Sequence, residues 1–304
     1  MSKYVNIFTD RGFKIVFGQE VSKELLISFL NDLLIGERVI ENISFMDKEL
    51  MSEYEDGRTV IFDILCEEPN GSKFIVEMQN QPQTFFMDRG LFYLCRSLSM
   101  QGEKGREWEY KIYPVYGVYF LNFIEPPFTK LRTDIILSDR ETGKMFSDKL
   151  RQIYLTLPFF EKEADECEND FERWIYLLKH MDILDRMPFK AQKAVFDKLL
   201  DIAEVAHLSK EERLQYDANL KAYRDWRNVL ITIDTRSKKA IKEGMEKGIK
   251  EGMEKGMEKG MEKGREEGLE KGKRTIALNM KKEGIPTEVI ISCTGLSIDE
   301  INQL

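Results

Sequence analysis

Two runs of strand-forming residues, 59–67 and 73–81, flank the turn sequence Pro69-Asn70-Gly71. Proline suits the first position of such a turn, and glycine can adopt the left-handed conformation at its end. The spacing predicts a β-hairpin with a three-residue loop and a glycine bulge. This hairpin constrains the fold more than any other feature, because its loop decides which residues of the two strands face one another.

The predicted loop places Asp63 opposite Glu77, with Gln79 two residues further along the same face. A two-residue Asn-Gly loop would put the two acids on opposite faces. Opposed carboxylates repel one another, and burial without compensation is unfavourable. We therefore expect either that Asp63 and Glu77 hold a divalent cation or that they lie on a solvated face. The other face of the hairpin is predicted to be apolar: Phe62, Ile64, Cys66, Phe74, Val76 and Met78.

The surrounding pattern alternates between helical and strand periodicity. Apolar residues at helical spacing predict helices over residues 22–34 and 85–100. Runs rich in β-branched and aromatic residues predict further strands over residues 43–50, 113–123, 132–137 and 152–157. This order predicts an α/β core with a mixed sheet. Amphipathic helices follow over residues 158–233 and predict a helical extension packed on the core or a small second domain.

A four-residue repeat begins near residue 244 and places glycine at every fourth position up to residue 272. Each glycine costs about 0.5–1 kcal/mol relative to alanine in a helix, so an isolated helix is doubtful here. The pattern is consistent with a solvated, semi-flexible helical linker or with a self-associating stalk. Beyond it, short helices are predicted, one of them starting at a capping box at Ser297. This tail fits a dimerising or autoregulatory module, a DNA-reading helix-turn-helix or a passive end.

Composition narrows the class of chemistry. The net charge of −8 and the pI near 5.2 argue against a surface coated in basic charge, although a local basic groove is compatible with them. The two histidines, His180 and His207, have no ligand-like neighbours, which disfavours zinc and histidine-based nucleophilic chemistry. There is no secretion-like or membrane-spanning apolar run, and no CxxC spacing. We expect a cytoplasmic protein with reduced thiols and no membrane partner: Cys66, Cys95, Cys167 and Cys293.

Several motifs together resemble a known group of proteins. The combination of a strand aspartate with "IVEMQ" on the next strand resembles the PD-(D/E)XK nuclease superfamily. More narrowly, the chain resembles the Rpn (recombination-promoting nuclease) family, whose members are also described as PD-(D/E)XK nuclease family transposases. The resemblance extends over nearly the whole chain. It is carried by "TDRGFKIVFG" at 9–18, "LLISFLNDLL" at 25–34, "FDILCEEPNGSKFIVEMQ" at 62–79, "DRGLFYLCRSL" at 88–98, and the glycine repeat followed by "TGLSIDEINQL".

The resemblance implies a restriction-endonuclease-like α/β core, with a mixed sheet flanked by helices, and a particular division of the chain. We expect a nuclease-like core over residues 1–157 and a helical extension over 158–237. A Gly/Glu/Lys/Met repeat linker over 238–274 and a small helical dimerisation or regulatory tail over 275–304 would follow.

It also implies roles for individual residues. Asp63 and Glu77 would ligate Mg²⁺ or Mn²⁺, and Gln79 occupies the position at which the superfamily usually has lysine. Because an amide carries no charge, Lys14 is a candidate for the missing cation, although it could equally be a surface lysine. Asp10 could join the site or cap a helix. On the helix that follows the hairpin, Arg89 is a better candidate than Tyr93 for contact with a phosphate.

The implied activity is metal-dependent hydrolysis of phosphodiester bonds in double-stranded DNA, promoting recombination or acting against invading DNA. The alternative is a catalytically degenerate nuclease fold that serves as a scaffold or as a transposase-related interaction protein. The missing lysine and the acidic pI favour this alternative, whereas the retention of both carboxylates in strand positions favours the nuclease, which we expect. We expect a homodimer or a higher homo-oligomer formed through the C-terminal region. A short C-terminal product starting at an internal methionine is a further expected partner: Met245, Met253, Met257 or Met261.

Overall fold

The computed structural model describes residues 2–47, 49–50, 60–103, 105, 108–189 and 193–304. The chain forms two compact units, Met1–Trp226 and Arg227–Leu304. The start of the strand predicted over residues 59–67 lies outside the described residues. Among the described helices, none combines the length and the apolar composition needed to cross a bilayer.

The first unit begins with two helices, α1 (Asp10–Phe17) and α2 (Lys23–Leu33). Thr9 is the N-cap of α1, because its side chain accepts a hydrogen bond from the Gly12 amide, and Asp10 is the first helical residue. Helix α2 confirms the helix predicted over residues 22–34.

In the part of the chain that the structure describes, eight strands and a third helix follow. They are β1 (Ser44–Phe45), β2 (Glu49–Leu50), β3 (Val60–Ile61), β4 (Ile64–Glu67), β5 (Lys73–Gln79), α3 (Phe86–Ser99), β6 (Val115–Leu121), β7 (Arg132–Ser138) and β8 (Met145–Thr156). Six of the strands form one sheet in the order β1-β4-β5-β6-β8-β7, and β2 pairs with β3 in a separate ribbon. Strands β5, β6 and β8 are parallel, whereas the outer pairs are antiparallel, so the predicted mixed sheet is confirmed.

Helices cover both faces of this sheet. One face packs against α1, α2, α4 (Asp170–His180) and α5 (Ala194–Ala203), and it forms the main core. The other face packs against α3 through smaller apolar clusters. Aromatic rings fill the centre of the main core with centroids 5.2–6.1 Å apart: Phe17, Phe29, Phe120 and Trp174. Short 3-10 helices span Glu20–Ser22, Leu157–Phe159, Ala164–Glu166, Met181–Ile183 and Val205–His207.

The β4–β5 hairpin has the predicted loop and register. Glu67 pairs with Lys73, and the Glu68 amide donates a 2.9 Å hydrogen bond to the Ser72 carbonyl. The Gly71 amide donates to the Glu68 carbonyl at 2.9 Å, and Gly71 has a φ of +89°. The three-residue loop with a left-handed glycine is therefore confirmed.

The strand predicted over residues 59–67 is interrupted, and the position predicted for Phe62 is wrong. Strand β3 ends at Ile61 and β4 begins at Ile64, so the alternation of side chains is broken between them. Phe62 packs on the α3 side with Leu65, and its ring lies edge-on to Tyr93 with centroids 5.4 Å apart. The other five residues predicted for the apolar face belong to the main core.

The glycine repeat lies within one helix, α6 (Lys210–Lys282), as the helical interpretations of the repeat predicted; whether it acts as a linker or as a self-associating stalk stays a prediction. Every residue of the repeat is exposed, and lysine–glutamate pairs four residues apart, such as Lys247–Glu251, accompany the helix. Helices α7 (Thr287–Thr294) and α8 (Ile298–Asn302) follow, and the capping box predicted at Ser297 is confirmed. They bury a small cluster with the end of α6: Ala277, Ile290, Leu296 and Ile301. The division of the chain into four parts stays a prediction.

Replacement of Gly71 by alanine tests the turn. A Cβ atom there would lie 2.8 Å from the Tyr113 ring, and the positive φ would be strained as well. We expect Gly71→Ala to lower the free energy of unfolding by about 2–4 kcal/mol, measured by chemical denaturation. Gly143→Ala is the matched control, because Gly143 has a φ of +68° but no atom within 4 Å of the added Cβ. Gly143→Ala should lower the free energy of unfolding by only about 1 kcal/mol. Equal losses in the two variants would contradict this account of the turn.

Candidate active site

A cavity of about 250 Å³ lies where β5 ends and α3 begins. Most of its lining is polar, and the residues come from α1, the β3–β4 break, β5 and α3. The lining residues are Asp10, Phe13, Ile61, Asp63, Glu77, Met78, Gln79, Asn80, Gln83, Arg89 and Tyr93.

The hairpin brings Asp63 and Glu77 together in this cavity. The β4–β5 register ends at the pair Ile64–Val76; Asp63 directly precedes Ile64, Glu77 directly follows Val76, and both acids line the cavity. One carboxylate oxygen of Asp63, Oδ2, accepts a 3.1 Å hydrogen bond from the Met78 amide, which ties it to β5. Glu77 is only 3% exposed, so its carboxyl group does not lie on a solvated face.

Burial dominates the electrostatics of Glu77. Glu77 pairs with Tyr119 on the neighbouring strand β6, and Tyr119 pairs in turn with Tyr154 on β8. A row of large side chains therefore flanks the carboxyl group. Burial raises the pKa of Glu77 to about 8, the charge of Asp63 adds to the rise, and Arg89 and Gln79 oppose it. Burial is also the main cause of the raised pKa values of both tyrosines, and Glu77 contributes to each.

One carboxylate oxygen of Glu77 lacks a hydrogen-bond partner among the described residues. Gln79 Nε2 donates a long hydrogen bond of 3.4 Å to Oε2 of Glu77. Oε1 is buried and has no hydrogen-bond partner within the described part of the chain. Because an unsatisfied buried acceptor is costly, this oxygen is a place where the protein gives up stability.

The other predicted site residues differ in whether they line this cavity. Gln79 lines the cavity, and so does Asp10, at the start of α1. Lys14 is not among the lining residues; its Nζ lies 2.6 Å from Oδ1 of Asp10, so Lys14 approaches the cavity through that ion pair. Arg89 and Tyr93 line the cavity from α3, as the sequence suggested.

A comparison with family models identifies the group. The model of the PD-(D/E)XK nuclease family transposase matches residues 7–232, which include the whole six-stranded sheet and the helices from α1 to α5. The chain belongs to this family. No curated protein and no solved structure matches the chain.

The resemblance drawn from the motifs implied a PD-(D/E)XK core in which helices flank a mixed sheet. The structure and the family match confirm this fold. Membership supports a nuclease-like function and suggests DNA binding. The donors in the cavity fit a hard divalent cation, because carboxylate oxygens suit Mg²⁺ or Mn²⁺ and Oε1 of Glu77 has no other partner among the residues that the structure describes. Within the described residues, no group of three or more His, Cys, Asp and Glu side chains is placed to hold a metal ion. Asp63 and Glu77 would therefore need amide, water or substrate oxygens to complete a shell.

Sequence reasoning missed two polar residues of the PD-(D/E)XK cavity. Asn80 donates a 2.6 Å hydrogen bond to the Phe8 carbonyl, and Gln83 accepts one of 2.6 Å from Arg89. Both lie in the amide-rich run "EMQNQPQ" that begins at Glu77. A cluster of amides directly after a buried strand was the signal that could have indicated them.

A hydrogen bond between the sheet and α3 fixes how the helix borders the cavity. The buried hydroxyl of Tyr119 donates to the Gly90 carbonyl at 3.1 Å. A Cβ atom at position 90 would lie 3.1 Å from the same hydroxyl, so glycine permits this close approach. The side chains next to Gly90 on α3 are held at a set distance from Glu77 as a result.

The pH dependence of stability without metal tests the burial of Glu77. Because the pKa is raised from 4.5 to about 8, the folded protein holds a proton that the unfolded chain releases in this range. The stabilisation is present in full below pH 4.5 and is lost as the pH rises through 8. Between about pH 5.5 and about pH 8.5 in EDTA, we expect the wild type to lose about 2–3 kcal/mol more stability than Glu77→Gln.

Thermal and chemical denaturation across the pH range measure this difference. Glu67→Gln is the matched control, because Glu67 lies in the same hairpin but is partly exposed and lies 3.9 Å from Lys73. It should keep the pH dependence of the wild type. Parallel curves for the wild type and Glu77→Gln would contradict the raised pKa.

Proposed function

We propose that the chain is a metal-dependent DNA endonuclease that hydrolyses phosphodiester bonds, with Asp63, Glu77, Gln79 and Lys14 as its working residues. The observation that supports this most strongly is that Oε1 of Glu77 is buried with no hydrogen-bond partner among the described residues, in a residue that lines the same cavity as Asp63. Family membership supports the same chemistry.

The argument from burial is energetic. An acid that is kept protonated by burial, beside a second acid, lowers the stability of the fold and gains nothing structural from doing so. A divalent cation would replace the proton on Glu77 and compensate both carboxylates at once. Asp63 and Glu77 are therefore the proposed ligands of Mg²⁺ or Mn²⁺.

In the reaction, a water oxygen forms a bond to phosphorus, and the bond from phosphorus to one deoxyribose oxygen breaks. That oxygen leaves as an alcohol after it takes up a proton. A bound divalent ion supplies polarisation of the phosphate and a more acidic water. Gln79 is proposed to orient the water or a phosphate oxygen through its amide. Lys14 is proposed to hold Asp10 in place at the edge of the cavity through the ion pair between the two side chains.

The proposed substrate is double-stranded DNA, and the proposed outcome is breakage that promotes recombination or acts against invading DNA in the cytoplasm. Cutting both strands requires two active sites, and a homodimer or a higher homo-oligomer formed through the C-terminal region would supply them. A short product that carries only the C-terminal residues is a proposed partner of the full chain.

Plasmid cleavage by the full chain tests the activity. We expect nicking or linearisation in Mg²⁺ or Mn²⁺, none in EDTA, and at least about a 100-fold loss of rate in Asp63→Asn and in Glu77→Gln. Gel electrophoresis of the plasmid forms over time measures the rates. Mn²⁺ should also raise the melting temperature of the wild type and leave that of Glu77→Gln unchanged, because only the wild type exchanges a proton for the ion.

Glu67→Gln serves as the control, since it removes a carboxylate from the same hairpin without touching the cavity lining. It should cleave like the wild type. Metal-independent cleavage, or full activity in both acid variants, would rule the proposed site out. Silence of the wild type together with no response to Mn²⁺ would favour the degenerate scaffold, which the neutral Gln79 also favours.

A further inference from the structure

A positively charged side chain lines the cavity, and it does not come from the position at which the PD-(D/E)XK motif usually has lysine. Gln79 is neutral, and Lys14 is not among the lining residues. Within the described lining of the cavity, Arg89 is the one side chain that carries a positive charge. Arg89 also differs from Lys14 in the side chains that it contacts.

Lys14 and Arg89 differ in the kind of group to which they donate. Lys14 forms an ion pair with Asp10 at 2.6 Å, so an acid already neutralises it. Arg89 donates from Nη1 to the neutral Oε1 of Gln83 at 2.6 Å, and its Nε is buried without a hydrogen-bond partner within the described residues. Within the described residues Arg89 therefore forms no ion pair with a carboxylate, although its charge acts to lower the pKa of Glu77, and one donor of its fork is unused.

The guanidinium group is also held in place. Its central carbon lies 5.7 Å from the centroid of the Phe86 ring and 5.9 Å from that of Tyr93. The next residue, Gly90, is fixed to the sheet by the hydroxyl of Tyr119. A planar fork that is stacked and anchored loses little freedom when it binds an anion, which makes it better suited to phosphate than a flexible lysine.

We propose that Arg89 contacts the scissile phosphate and supplies the positive charge that the superfamily's lysine would otherwise bring, with Gln83 holding it in position. This inference rests on the proposed endonuclease function. In it, the terminal nitrogen that Gln83 does not engage donates to a non-bridging phosphate oxygen. The charge stabilises the negative charge that builds up on those oxygens as water adds to phosphorus.

Kinetics of plasmid cleavage by the full chain test the assignment. We expect Arg89→Gln to cleave about 100-fold more slowly than the wild type. Arg89→Lys should recover part of the rate, because it keeps the charge but lacks the fork. Both variants should keep the rise in melting temperature with Mn²⁺, which separates a phosphate contact from loss of the fold or of the metal ligands. Arg96→Gln, on the same helix but outside the cavity lining, should cleave at the wild-type rate.

Binding to a short DNA duplex in EDTA, followed by fluorescence anisotropy, makes the test independent of cleavage. Arg89→Gln should bind about tenfold more weakly than the wild type and Arg96→Gln. If the wild type fails to cleave but this binding difference appears, the endonuclease function fails while the phosphate contact stands. Unchanged cleavage and unchanged binding in Arg89→Gln would overturn the proposal. A loss confined to Lys14→Gln would overturn it too and assign the charge to Lys14.

Discussion

The left-handed backbone at Gly71 is the constraint on which the candidate site depends. It closes a three-residue loop, and this loop sets the register that carries Asp63 to Glu77. The Tyr113 ring packs so closely on Gly71 that a Cβ atom cannot be added without displacement. Because side chains alternate along a strand, a shift of one residue would separate the two acids onto opposite faces of the sheet.

The sheet gives the site its electrostatic character. Strand β5 lies between β4 and β6, so the carboxyl group of Glu77 is enclosed, with Tyr119 next to it on the neighbouring strand. Burial and the charge of Asp63 favour a protonated acid and raise the pKa of Glu77, whereas Arg89 and Gln79 favour the charged form. The fold thus maintains a buried carboxyl group with a raised pKa, at a cost to its own stability. Such conflicts between local stability and the rest of the fold are typical of functional sites.

Much of this arrangement could be predicted from the sequence, because it depends on local rules. Turn chemistry and strand periodicity predicted the hairpin loop and the approach of Asp63 to Glu77. The break before β4, which turns Phe62 toward Tyr93, was missed, because it depends on packing against α3 rather than on local pattern. The roles of Gln83 and of the Tyr119–Gly90 contact were missed for the same reason. They depend on where a helix crosses the sheet, which spacing along the chain does not determine.

The glycine repeat has a genetic consequence. Each unit is four residues long and so corresponds to a whole number of codons. The addition or removal of one unit therefore preserves the reading frame. Since every residue of the repeat is exposed, such a change does not alter any buried contact. The cluster around Ala277 and Ile290 lies entirely beyond the repeat in the chain, and the sheet lies entirely before it. A change in the number of units would thus leave the packing within each of these two parts unchanged.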